Sequence, residues 1–193
     1  MMMEKNTKVR ICNPLVDQNG IDVRLIGKTL IPIYRFKEAI LRRETEGDWC
    51  TLGVMYFKNM ATSKNGNPYT LWKMSDLSGG INSISVMLFG KSHARHYKIQ
   101  LNRVLLITAA KVMEDKSGKG DVTICVNNPE EIVELGDSID AGKCQAKKPD
   151  GSGCTALVNL SSCEYCMYHV KKAYKSVSNK RGDLQSSFSG PGS

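Results

Sequence analysis

Four cysteines and a histidine crowd into residues 144–169. Cys144 and Cys154 have nine residues between them, and Cys163, Cys166 and His169 follow at intervals of three. A zinc ion takes four soft or borderline ligands in a tetrahedron, commonly four cysteines or three cysteines and a histidine. Five side chains therefore compete for four places. Cys144, Cys154, Cys163 and Cys166 form one plausible set. Cys144, Cys154, Cys166 and His169 form the other. A helix opening near Ser161 or Ser162 would put Cys163, Cys166 and His169 on one stripe, from which adjacent pairs chelate but all three crowd one ion. Spacing alone does not choose. A redox Cys-x-x-Cys pair would open a helix in a βαβ unit, and that context is absent. A catalytic zinc needs an open position and a nearby acid or base. The cluster's acids are Asp150, in its loop, and Glu164. The reading is a structural metal site whose binding energy folds a segment too short for a core of its own.

The same segment is basic. Residues 143–181 carry Lys143, Lys147, Lys148, Lys171, Lys172, Lys175, Lys180 and Arg181 against two acids, a net of +6 in a chain whose total is +8. Such a surface is an electrostatic footprint for phosphate. Of the remaining cysteines, Cys50 and Cys125 sit in apolar runs and read as small buried hydrophobes. Seven cysteines, an odd number, do not suggest a disulfide framework. No run of 18 apolar residues is present, and Met1 to Arg10 lack an apolar core, so neither a membrane span nor a secretory signal is expected. An intracellular chain without membrane contact is the expectation.

Elements that could position these groups follow from periodicity. Residues 1–27 show none that is sustained and read as an extended arm. Tyr34 to Arg43 reads as a short helix with Phe36, Ile40 and Leu41 apolar. The period then changes to two. Cys50 to Lys58 is a first strand with a bend at Gly53. Asn59 to Asn67 is a polar loop ending in the hairpin signal Asn65-Gly66. Tyr69 to Met74 is a second strand, and Ser83 to Phe89 a third with Ile84, Val86 and Leu88 on one face. Lys91 to Gln100 is a short polar helix whose His93 and His96 read as surface groups. Val104 to Val112 is a fourth strand, Glu114 to Gly120 a lysine-bearing loop, and Asp121 to Val126 a fifth strand. Five strands with a helix between the third and fourth match an OB-fold, a five-stranded Greek-key barrel. The expected organisation is mainly β: an N-terminal arm and short helix over 1–47, the OB-fold over 48–137, a zinc module and basic helix over 138–181, and a flexible tail over 182–193.

Three runs carry a resemblance. YTLWKMSDL followed by SVMLFGKSH, GKCQAKKPDGSGC followed by NLSSCEYCMYHV, and the ending SNKRGDLQSSFSG look like the central domain of the minichromosome maintenance protein 10 family, a replication initiation factor. The resemblance covers Arg35 to Gly190. It implies an OB-fold beside a CCCH-type zinc finger, with single- and double-stranded DNA bound across both. It further implies a nuclear location, and a replicative helicase and DNA polymerase alpha as partners. The family's Cys-x9-Cys-x11-Cys-x2-His pattern falls on Cys144, Cys154, Cys166 and His169, leaving Cys163 a bystander. Its paired finger lysines fall on Lys147 and Lys148. Full-length members carry further regions on both sides, so a fragment or a reduced homologue is expected.

OB barrels bind single strands with a basic groove and stacked aromatics. The expected DNA-contacting residues are Tyr69 and Lys73 on one face of the second strand, Lys64 in the first loop, and Lys116 and Lys119 in the loop before the fifth strand. Lys147, Lys148, Lys171, Lys172 and Lys175 would extend the phosphate track. Trp72, on the opposite face from Tyr69, is expected in the core. Asp48, Asp76 and Glu114 lie near strand ends and read as turn residues. No catalytic carboxylate cluster, nucleotide-binding glycine loop or nucleophile–base pair is evident, so a non-catalytic protein without a small-molecule substrate is expected. The alternative is a protein-interaction scaffold of the replication machinery with weak direct DNA binding.

Overall fold

The computed structural model describes every residue except Gly80, Ala109, Glu114, Lys116 and 187–193, and the side chains of 183–186. The chain divides into two compact units, Met1–Ala141 and Gly142–Ser193.

The first unit opens with β1 (Met2–Met3), β2 (Arg10–Cys12), α1 (Gln18–Leu25) and β3 (Thr29–Leu30). The arm is therefore folded. Val9, Ile11 and Ile21 are buried. The Asp17 carboxylate caps α1 by accepting the Gly20 N–H at 2.7 Å. Only Ile21 of α1 is buried, which is why no helical period is visible over 1–27.

A 3-10 turn, Ile33–Arg35, leads into α2 (Phe36–Leu41). Phe36 and Ala39 are buried, and Phe36 meets Trp49 edge to face at 5.2 Å. The expected apolar face needs one correction. Leu41 is 84% exposed, because the stripe that shares a face with residue 36 runs through 39 and 40.

The central sheet follows with β4 (Trp49–Thr62), β5 (Pro68–Ser75), β6 (Ile84–Leu88), α3 (Gly90–His96), β7 (Arg103–Thr108), β8 (Lys111–Met113), β9 (Thr123–Val126) and β10 (Ile132–Ser138). Its order is β1-β2-β10-β7-β4-β5-β6-β9-β8, with β3 parallel to β4. The pairing β4–β5, β5–β6 and β4–β7 is antiparallel, β6–β9 is parallel, and β8–β9 is antiparallel. With α3 between the third and fourth barrel strands, this is OB-fold connectivity.

Two expectations change. Asn59 to Thr62, read as loop, belong to β4, and the hairpin turn is confined to Ser63–Asn67 with Gly66 at φ +80°. The fourth strand is two strands, because its first half pairs with β4 and its second with β9. Strand β10 has no counterpart in the sequence reading. Its register shifts between Glu134 and Gly136, which breaks the alternation that would reveal it. Gly136 has φ +139°, and a Cβ there would meet Ile11 Cγ2 at 2.5 Å. Glycine thus lets β2 close on β10. At Gly53 a Cβ would meet Ile33 Cδ1 at 2.5 Å and the Ser75 carbonyl at 2.9 Å. The expected bend is a close approach of three segments, followed by a register shift between Met55 and Phe57.

The core gathers Trp72, Met74, Met55, Ile84, Val86, Leu88, Leu105 and Ile107 from both sides of β4. Helix α3 is tied down by both histidines. His93 Nδ1 lies 2.7 Å from Thr70 Oγ1, and His96 Nε2 donates to the Pro129 carbonyl at 2.8 Å. His96 is buried. The two are structural groups, not surface ones, since one nitrogen of each ring finds a partner and the His93 ring stacks on Tyr97.

The second unit contains β11 (Ala141–Lys143), which starts on the last residue of the first, then β12 (Leu157–Asn159) and α4 (Met167–Ser186). β11 and β12 form a two-stranded sheet. Helix α4 continues through Ser186 and so takes in residues 182–186, which were expected as tail; 187–193 lie outside the described residues. Among the described residues no helix is long and apolar enough to cross a membrane.

Candidate metal centre and nucleic-acid interface

The residues between Cys144 and Cys154 fold back on themselves. Cys154 N–H donates to the Ala146 carbonyl at 2.8 Å, Lys148 N–H to the Ser152 carbonyl at 2.7 Å, and Lys147 bridges Gly153. Asp150 caps the tip by accepting the Ser152 N–H and hydroxyl. Gly151 supplies φ +86° for the reversal. Cys144 and Cys154 are thereby brought to one end of the hairpin, and Lys147 and Lys148 are carried beyond it, both exposed.

The start of α4 supplies the other half. Cys166 precedes the helix and His169 lies in its first turn. One ligand atom from each of Cys144, Cys154, Cys166 and His169 lies within 4.8 Å of all the others. His169 Nδ1 is 3.5 Å from Cys144 Sγ and 3.2 Å from Cys166 Sγ. A tetrahedron with metal–sulfur bonds near 2.3 Å has edges of about 3.8 Å, so the four atoms fit one ion. The Cys166 N–H also points at Cys144 Sγ, 3.2 Å away. Burial acts to raise the Cys144 thiol, but the N–H groups of Cys166 and Ala146 together with the thiols of Cys166 and Cys154 hold it below its ordinary value. Cys163 stands apart. It is exposed, and its sulfur accepts the Tyr165 N–H at 3.4 Å. Of the five side chains that spacing left in competition, the chain path gathers Cys144, Cys154, Cys166 and His169 and leaves Cys163 outside the group.

In the first unit, β4, β5 and β6 place alternate residues on an outer face. Cross-strand partners share a face. Phe57, Lys73 and Ser85 form one row, and Asn59, Leu71 and Met87 the next. Tyr69 and Phe89 complete the face, their ring centroids 5.5 Å apart. Lys73 Nζ lies over the Phe57 ring at 5.5 Å. Trp72, on the inward face, is fully buried. Lys64 is exposed in the β4–β5 turn. Lys119 is exposed in the loop before β9, which Asp115 organises by accepting from the Ser117 N–H and hydroxyl and the Gly120 N–H. Lys116 lies outside the described residues. Lys171 and Lys172 are exposed on α4.

Sequence reasoning missed Phe57 and Phe89. Phe89 was legible, since placing Ile84, Val86 and Leu88 inward sends residue 89 outward. Phe57 was hidden by the register shift that precedes it. Lys58, by contrast, is committed to structure, donating to the carbonyls of Tyr97 and Ile99 at 3.2 and 2.8 Å. Asp76 is buried and accepts from the Tyr34 N–H and from the Ser78 N–H and hydroxyl, as a turn residue does. Glu114 lies outside the described residues.

An OB-fold followed by a Cys3His finger defines the class of this protein. The family model described as MCM10 OB-fold matches residues 5–133, and that described as primase zinc finger matches residues 136–181. The chain belongs to the MCM10 family. It is similar to the Protein MCM10 homolog of Homo sapiens, 37% identical over 190 residues, or 97% of this chain and 22% of that protein. It is also similar to the DNA replication licensing factor mcm10 of Schizosaccharomyces pombe, 26% identical over 126 residues, or 64% of this chain and 21% of that protein. The chain thus spans about a fifth of the length of these relatives. Among solved structures, the mitochondrial single-stranded DNA-binding protein Rim1 of S. cerevisiae is similar at TM-score 0.37 and 12% identity, over 47% of this chain and 96% of that one.

Proposed function

We propose that this chain is a non-catalytic DNA-binding module of a nuclear replication factor, and that zinc holds its second unit together. The observation that carries the reading is the outer face of β4–β6, where Tyr69, Phe89 and Phe57 expose ring surface beside Lys73. Aromatic faces stack bases of any sequence, while the lysines follow the phosphates. Lys64 and Lys119 flank that face in its two loops. No side chain there is arranged to read base edges, so little sequence preference is proposed.

In the second unit Lys147, Lys148, Lys171 and Lys172 offer phosphate contacts with either single or double strands. Zinc is the metal favoured by three thiolates and an imidazole. Held by Cys144, Cys154, Cys166 and His169, it would act structurally, locking the hairpin to α4. The name of the S. pombe relative places it in DNA replication, and the same process is proposed here. By extension from the whole-length family, a replicative helicase and DNA polymerase alpha are the partners that such a module would bring to DNA. The test is a titration of a labelled thymidine oligomer with the native chain and with Tyr69→Ala/Phe89→Ala. Equal affinities would refute the stacking face.

A further inference from the structure

Helix α4 leaves its described side chains unpacked beyond the first turn. Every residue from Lys171 to Gly182 is exposed, yet the helix is not polar all round. Tyr174 is 74% exposed and Val177 49%. With Ala146, Tyr165, Val170 and Ala173 they line an apolar groove of about 630 Å³ within the second unit. Positions 170, 173, 174 and 177 follow i, i+3, i+4, i+7, the stripe by which one helix receives another. A helix draws most of its stability from burying such a stripe.

We infer that this groove receives an acidic amphipathic helix of a partner protein. Charge decides the occupant. From Tyr165 to Gly182 the chain carries Lys171, Lys172, Lys175, Lys180 and Arg181 and no acid. A second copy of α4 would set five cations against five. A partner helix with aliphatic residues at heptad spacing, flanked by glutamates and aspartates, satisfies both the groove and its rim. A nucleic acid strand would satisfy the rim and could stack on Tyr165 and Tyr174, but would leave Val170, Ala173 and Val177 unmatched, since these aliphatic side chains offer no face for a base.

The experiment uses the whole chain and three labelled probes followed by fluorescence anisotropy. One is an acidic peptide of about three heptads with leucine at a and d and glutamate at e and g. The second is its scrambled form. The third is a thymidine oligomer. The acidic amphipathic peptide binds saturably and the scrambled one at least about tenfold more weakly. Tyr174→Ser/Val177→Ser weakens the amphipathic peptide at least about tenfold, and leaves the thymidine oligomer within about twofold. Both residues are exposed, so the bound metal content stays at the native value. Lys175→Glu/Lys180→Glu abolishes acidic-peptide binding and creates binding of a lysine-flanked counterpart. Equal binding of the scrambled peptide would overturn the inference. So would an unchanged peptide affinity in the serine variant. Loss of oligomer affinity without loss of peptide affinity would assign the stripe to nucleic acid instead, and a dimer dissolved by the serine variant would assign it to a second copy.

Discussion

Tyr69 on β5 and Phe89 at the end of β6 face each other across the outer surface of the sheet, their rings 5.5 Å apart and tilted by 32°. The pair is only partly buried, so each ring still offers surface to a base. Stacking of one base on one ring is worth about 1–3 kcal/mol. Tyr69→Ala and Phe89→Ala are each expected to weaken single-stranded DNA by roughly that amount. Together they should cost less than the sum, because the rings touch. Lys64→Ala should weaken binding less and reduce the salt slope by about one.

Lys147 and Lys148 are exposed in the hairpin, and their backbone groups pair across it. Lys147→Ala/Lys148→Ala should therefore leave metal content and unfolding unchanged. It should weaken both single- and double-stranded DNA severalfold and lower the salt slope by about two. Loss of bound metal in this variant would mean that the side chains have a structural role.

The four-atom metal cluster excludes Cys163. Cys163→Ser is expected to bind one zinc per chain with native affinity, measured by competition with a chromophoric chelator. Cys166→Ser or His169→Ala should weaken the metal strongly. Chelation should unfold the second unit and leave the core around Trp72 intact, since that core includes no metal ligand.

Trp72 is fully buried, and its Nε1 has no hydrogen-bond partner among the described residues. The indole thus acts through packing alone. Trp72→Ala should destabilise the first unit by about 3–5 kcal/mol. Trp72→Phe should be milder, since it removes an unsatisfied donor along with volume, and DNA affinity should persist at temperatures where the variant is folded.

Glu4 is buried in the turn between β1 and β2. Burial pushes its carboxyl up, but the N–H groups of Thr7 and Asn6 and the Thr7 hydroxyl donate to it and hold the pKa below the ordinary carboxylate range. A depressed folded-state pKa means the unfolded chain binds the proton more readily. The stabilisation is complete above the unfolded value and is lost as pH falls through the folded one. Urea unfolding across this acid range should show a steeper loss for the native chain than for Glu4→Gln, which should start lower at neutral pH and vary less.

The barrel strands were legible from their apolar pattern: β5, β6 and β9 alternate, and β7 is a short apolar run buried on both faces. Ile84, Val86 and Leu88 alternate cleanly, and their strand appears where the period put it. Strand β10 was not legible: Glu134 and the Gly136 shift interrupt its period, and its partners β2 and β7 are distant in sequence. The arm was obscured for a similar reason, since Ile11 and Ile21 bury themselves singly. In the finger, spacing narrowed the ligands to five. The choice among them depends on how the hairpin meets α4, a tertiary relationship that a stripe of i, i+3 residues does not encode. Lysines are the least legible group, because exposure alone decides their availability, and Lys58 shows how a backbone carbonyl can claim one.

The most direct test of joint DNA binding by the two units is the affinity of the chain for a labelled single strand across a salt series, with and without a zinc chelator. Binding that falls steeply with salt, and that becomes weaker and less salt-dependent on chelation, is the predicted result: the finger's lysines leave the interface while the stacking face on β4–β6 remains. Binding insensitive to both salt and chelation, or no binding to any strand, would contradict the account.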